Sequence, residues 1–201
     1  IDPPTNSNLR DYKGSLYEGG IRVPSIIEWP NGITTPRSTE YPSGAVDIFP
    51  TLSEIVKLPE NSSLKPQDGE SLVHLFKTEK FKRAKPLIFS SRKRMAVIDN
   101  NWKLISFPSK SGKKFELYNL QKDKVEKQNL ISENILIFQH LNKYLSAAHL
   151  SIEKSINGYD YPENKVNHQP PRTFWTEIKS YKKHFKQWKL RPEYKSRLQS
   201  K

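Results

Sequence analysis

Between Pro86 and Tyr118 apolar residues recur every second position, and this alternation constrains the fold more than any other feature of the chain. Four such stretches, Pro86–Ser91, Met95–Asp99, Trp102–Phe107 and Phe115–Tyr118, read as strands with one face turned to a core. Asn100-Asn101 supplies a tight hairpin turn between the second and third strands, and Ser109 to Lys113 a looser connection. Residues Glu133–Ile152 then switch to helical spacing, with Ile137, Leu141, Tyr144, Leu145 and Ala148 on one side. A helix laid across a small antiparallel sheet makes a stable two-layer unit.

The preceding segment is built differently. Residues 1–20 read as loop and Val23–Glu28 as a short buried strand ended by Pro30-Asn31-Gly32. A surface loop over 31–44 follows, rich in Thr, Pro, Ser and Gly. A helix starts near Asp47 or Pro50, its Ile48, Leu52, Ile55 and Val56 predicting an inward face, and Pro59 stops it. Ser71–Phe76 reads as a short helix or turn, and Lys77–Lys85 as a basic connector. Arg92, Lys93 and Arg94 precede a strand, either near a site mouth or as a solvated charge run. Beyond Ile152 comes a Pro/Asn-rich extended segment, 157–172. A final helix then carries Trp175, Ile178, Tyr181, Phe185 and Trp188 between lysines, and Pro192-Glu193-Tyr194 closes it.

Chemistry concentrates at Tyr12-Lys13-Gly14-Ser15-Leu16-Tyr17-Glu18-Gly19-Gly20-Ile21-Arg22-Val23-Pro24. The glycines permit close backbone approach, and a lysine beside such a bend is a compact cation suited to an anionic oxygen. On the residues alone this is either an anion site or a loop with solvated Lys13 and Arg22. The net charge of +13 likewise suits a polyanion or a lysine-covered surface, and no nucleic-acid-binding motif accompanies it. Histidines 74, 140 and 149 show no metal-ligand spacing; His168 and His184 fall in the tail. At 34% hydrophobic residues and a mean hydropathy of −0.78 the chain is lean for a self-sufficient globule, though 11% aromatic content separates it from disordered chains. No apolar run reaches the roughly 18–20 residues that span a bilayer, so no membrane segment is expected.

The run from Tyr12 to Pro24 resembles the KGxxYEGGxRVP signature of the formylglycine-dependent sulfatases, the arylsulfatase-like members of the alkaline phosphatase superfamily. Further segments resemble that family in the same order: Ile26 to Pro30, Val46 to Leu52, Asp68 to Leu72, Trp102 to Ile105, Glu116 to Leu120 and Asp123 to Leu130. Together they cover roughly residues 8 to 150. Two departures stand out: Asp11, where the family more often has glycine, and Lys124 in place of a proline.

The resemblance implies an α/β, alkaline phosphatase-like fold. Residues 1–84 would end the large catalytic domain, 85–152 would form a small C-terminal subdomain of antiparallel sheet with a packed helix, and 153–201 a basic, aromatic tail. It gives Lys13 the role of contacting the substrate sulfate. Arg22, His184 and Trp188 are further substrate-binding candidates, although Arg22, with Glu18, also suits bracing the turn. A calcium ion and a formylglycine nucleophile are expected upstream of Leu9, because the chain has no cysteine and no match to the family's metal-ligand pairs. The expectation is the C-terminal part of a periplasmic or secreted sulfatase acting on sulfated carbohydrate or another sulfate ester, inactive without its N-terminal region. A phosphoester or phosphonate hydrolase of the same superfamily, or a non-enzymatic polyanion-binding module, are the alternatives.

Overall fold

A computed structural model describes residues 8–63, 65–78, 82–160 and 173–199. The chain divides into two compact units, Ile1–Asn164 and Lys165–Lys201.

In the first unit the alternating stretches form one antiparallel sheet of β1 (Leu87–Ser91), β2 (Arg94–Asp99), β3 (Trp102–Ser109) and β4 (Gly112–Asn119), in the order β1-β2-β3-β4. Registers Ser91↔Arg94, Asp99↔Trp102 and Ser109↔Gly112 leave two residues in each hairpin turn. The loop expected over Ser109 to Lys113 is therefore tight, with Gly112 at φ +120. Because successive side chains leave opposite faces of a strand, both faces of this sheet are apolar. Met95, Val97, Leu104 and Leu117 face α3 (Ile135–Ile156), which buries Leu141 and Leu145 against them. Ala96, Ile98, Ile105 and Tyr118 face the other way and pack with Leu16, Tyr17 and Ile21. The sheet thus lies between its helix and the segment that carries the glycine-rich signature.

Four expectations need correction. Glu18–Ile21 is a one-turn helix, α1, where loop was predicted, closed by the Arg22 N–H donating to the Glu18 carbonyl at 2.8 Å. Val23 to Glu28 pairs with no described strand, and Val23, Ile26 and Ile27 are exposed, so an apolar run has the composition of a buried strand without a ladder partner. A helix, α2 (Ile48–Ile55), forms as predicted, but its face is reversed: Ile48, Leu52 and Val56 are exposed and Thr51 is buried. The polar side is inward because Thr51 donates to the Asp47 carbonyl and accepts the Leu72 N–H at 2.9 Å.

The fourth correction concerns the tail. The single aromatic helix expected after 172 is broken into a 3-10 turn at Trp175–Glu177 and three short α-helices, α4 (Lys179–Lys182), α5 (Phe185–Trp188) and α6 (Pro192–Gln199). Pro192 opens α6 instead of closing a helix, as its fixed φ and missing N–H favour at a first helical position. Breaking the helix gathers the aromatics around Trp188, which meets Trp175, Tyr181, Phe185 and Tyr194 at centroid distances of 5.7–6.0 Å. Of the extended segment predicted at 157–172, residues 157–160 are turn; the remainder, with His168, lies outside the described residues.

Candidate functional site

Lys13 occupies the second position of a tight turn. Ser15 N–H donates to the Tyr12 carbonyl at 3.1 Å, and Gly14 between them has φ +98, the positive value that a type II turn requires at its third residue. Asp11 also sits in the left-handed region, at φ 63, with its carboxylate accepting the Tyr12 N–H at 3.0 Å. Aspartate tolerates that conformation, so the departure from glycine noted at this position keeps the shape of the loop. The signature then folds back on itself: Gly19 N–H donates to the Arg10 carbonyl at 2.9 Å, and a Cβ at Gly19 would overlap the Asp11 and Arg10 carbonyl oxygens. The Lys13 side chain is exposed and has no carboxylate partner among the described residues.

Beneath this exposed amine lies a buried set of charges. Lys103 Nζ, on β3, is 2.9 Å from Glu18 Oε1 and 2.7 Å from Glu126 Oε1, and all three side chains are at most 3% exposed. Glu126 Oε2 accepts the Glu18 N–H at 2.6 Å, so the start of α1 is bonded through both backbone and side chain. Burial pushes the Glu126 carboxyl above the ordinary carboxylate range, and Lys103 pulls it back only in part. The neighbouring Glu18 carboxylate pushes it in the same direction as burial.

Arg10 completes the anchorage. Its guanidinium lies 3.8 Å over the Tyr17 ring and donates to the Glu126 carbonyl, the Tyr118 hydroxyl and the Tyr17 hydroxyl at 2.6, 3.0 and 3.1 Å. Both hydroxyls donate onward to Glu116 Oε2, at 2.6 and 2.8 Å. Burial and these bonds to a carboxylate push both phenols well above their usual range. Tyr17 and Glu18 of the signature are thus sheet anchors. Spacing alone could not reveal this, since their partners lie 85 to 108 residues away.

Arg22 lies 3.4 Å from Glu18 Oε2 and is part-exposed, the bracing geometry expected of it. His184 and Trp188 belong to the second unit, where imidazole and indole stack at 5.5 Å and 19°. The motifs around Asp47 and Asp68 prove structural. Asp47 is fully buried, and its two carboxylate oxygens meet the two terminal nitrogens of Arg83 at 2.8 Å each. Burial opposes its ionisation, but Arg83 and the amides of Glu70 and Gly44 outweigh burial and hold the carboxyl below its usual value. A Cβ at Gly69 would overlap the Val46 carbonyl, which explains the glycine there. His140 lies 3.5 Å from Asp99 and His149 3.6 Å from Glu153, while His74 packs edge-on against Tyr41. No group of three or more His, Cys, Asp or Glu that could hold a metal ion occurs among the described residues.

A protein-family model described as N-sulphoglucosamine sulphohydrolase, C-terminal, matches residues 11–154, which hold the Lys13 turn, the sheet and α3 through Lys154. The chain belongs to this sulfatase family. Among curated relatives, a sulfatase of Formosa agariphila is 34% identical over 151 residues, covering 67% of this chain and 27% of that protein. Arylsulfatase K of Danio rerio is 28% identical over 163 residues, covering 74% and 30%. The chain therefore spans under a third of the length of either relative. Two solved structures share the fold. One is Ps i-CgsB (TM-score 0.61, 20% identity, 98% of this chain and 40% of that one). The other is BT33336S-sulf, described with glycosaminoglycan metabolism by Bacteroides thetaiotaomicron (0.60, 23%, 70% and 32%). The alkaline phosphatase-like α/β fold is thus established for this chain.

Proposed function

We propose that this chain is the C-terminal part of a sulfatase hydrolysing sulfate esters of carbohydrates, with Lys13 contacting the sulfate. One observation carries the reading: an ammonium that is exposed and without a carboxylate partner among the described residues sits on a turn packed against α1, whose start is held by buried ion pairs. Glu18, Lys103 and Glu126 fix α1, and the close approach of Gly19 to the Arg10 and Asp11 carbonyls sets the Lys13 turn against it, which presents the cation in a preorganised position. Fixed positive charge against oxygens that gain charge in the transition state is a principal source of catalytic stabilisation.

The chain has no cysteine to become formylglycine, and its described residues form no calcium ligand set. In this proposal both groups belong to sequence outside the 201 residues. Export to the periplasm or beyond is part of the reading; no described helix is long and apolar enough to cross a membrane. Arg22 acts in it as a secondary substrate contact.

Sulfate release from an aryl sulfate and from a sulfated oligosaccharide by the full-length protein tests the assignment. Lys13→Ala is expected to lower turnover by ~10²–10³, the usual cost of one lost charge-stabilising donor, with an unchanged melting temperature. Near-normal turnover would remove Lys13 from the mechanism. In the same assay, the alanine variant of Arg22 should raise KM for the oligosaccharide, and an unchanged KM would strike it from the site.

A further inference from the structure

The turn between β1 and β2 lies against the Lys13 turn. Arg94 Nη2 donates to the Gly14 carbonyl at 3.0 Å, a contact between residues 80 apart in sequence. Arg92 and Lys93, the two turn residues, lie within two positions of Arg94, at most about 7 Å of chain. Both are exposed, and neither has a carboxylate partner among the described residues. Arg94 is committed to the loop; Arg92 and Lys93 leave two cations, unpaired with carboxylates among the described residues, on a turn that Arg94 ties to the Lys13 turn.

The backbone makes this arrangement less than incidental. Arg92 has φ 50, a left-handed conformation that costs an arginine energy. The next hairpin, between β2 and β3, needs the same conformation at the same place, φ 52, and there carries Asn100, a residue type that adopts it readily. Asn100 is also used structurally, bonding both the N–H and the carbonyl of Arg83. Among the described residues Arg92 makes no such bond, so no hydrogen bond of this kind offsets its strain there.

We infer that Arg92 and Lys93 form a subsite for a second anionic group of the substrate, a sulfate or carboxylate on the same sugar chain as the ester held by Lys13. A guanidinium presents paired N–H donors that match two oxygens of either group, and an ammonium adds a point charge. The Arg94 contact ties the turn that carries Arg92 and Lys93 to the turn that carries Lys13, so one polyanionic chain can meet both. The inference rests on the sulfatase reading.

The test uses the full-length protein and its Arg92→Asn/Lys93→Ser variant, which relaxes the strained position while removing both charges. Three sulfated oligosaccharides serve as substrates: one with a single sulfate and no other charge, one with a second sulfate, one with a carboxylate. The expected result is a rise in KM of about five- to tenfold on a doubly charged substrate, from two lost exposed ion pairs, with the singly charged one unaffected. The second sulfate and the carboxylate compared show which group the subsite takes. An equal effect on all three, or none on any, overturns the subsite and leaves the sulfatase reading intact. A wild-type protein that releases sulfate from none of them overturns both.

Discussion

At the scale of single residues, the placement of Lys13 depends less on the lysine than on its neighbours. The side chain has no carboxylate partner among the described residues, so its position comes from Gly14 at φ +98, Asp11 at φ 63 and the close approach of Gly19 to the Arg10 and Asp11 carbonyls. Gly19→Ala must therefore push the turn away from α1. The expected loss is about 1–3 kcal/mol in denaturant unfolding, as for other overpacked sites, together with reduced sulfate release. Wild-type stability and rate in that variant would show that the close approach does not set the loop. Much of this site is legible in sequence, because glycines mark backbone conformations directly. The roles of Glu18 and Tyr17 are not, since each depends on a partner on the far side of the chain, Lys103 or Glu116.

At the scale of elements, a single turn of helix, α1, is held by a buried triad in place of any length of its own. Lys103→Met would leave Glu18 and Glu126 buried without their cation. The expected destabilisation is about 3–5 kcal/mol, measured by urea unfolding of the full-length protein, the range for breaking a buried pair by removing one partner. A change within a few tenths of a kcal/mol would mean that the triad contributes nothing to holding α1. The strands were legible because alternation reports the sheet surface directly. The inward face of α2 was not: Ile48, Leu52 and Val56 have the spacing of a core stripe yet face out, while Thr51 turns in through two hydrogen bonds. Arg83 illustrates the same limit. It lies in a run of surface-like basic residues, and only the fold brings it to Asp47, 36 positions away.

At the scale of the molecule, the first unit is a sheet covered on both faces, with an apolar exterior on its N-terminal side. Val23, Ile26 and Ile27 are exposed in one short run, as are Phe49, Leu52 and Val56 in and beside α2. Expressed alone, the 201 residues should bind a hydrophobic-surface dye and self-associate in sedimentation. A monomer that leaves the dye dark would mean these side chains need no cover. The most direct test of the whole account is a crystal structure of the full-length protein with a bound sulfate ester. The account predicts Lys13 Nζ at hydrogen-bonding distance, about 2.7–3.2 Å, from an oxygen of the ester sulfate. A sulfate bound elsewhere, with the Lys13 amine left in solvent, would contradict it.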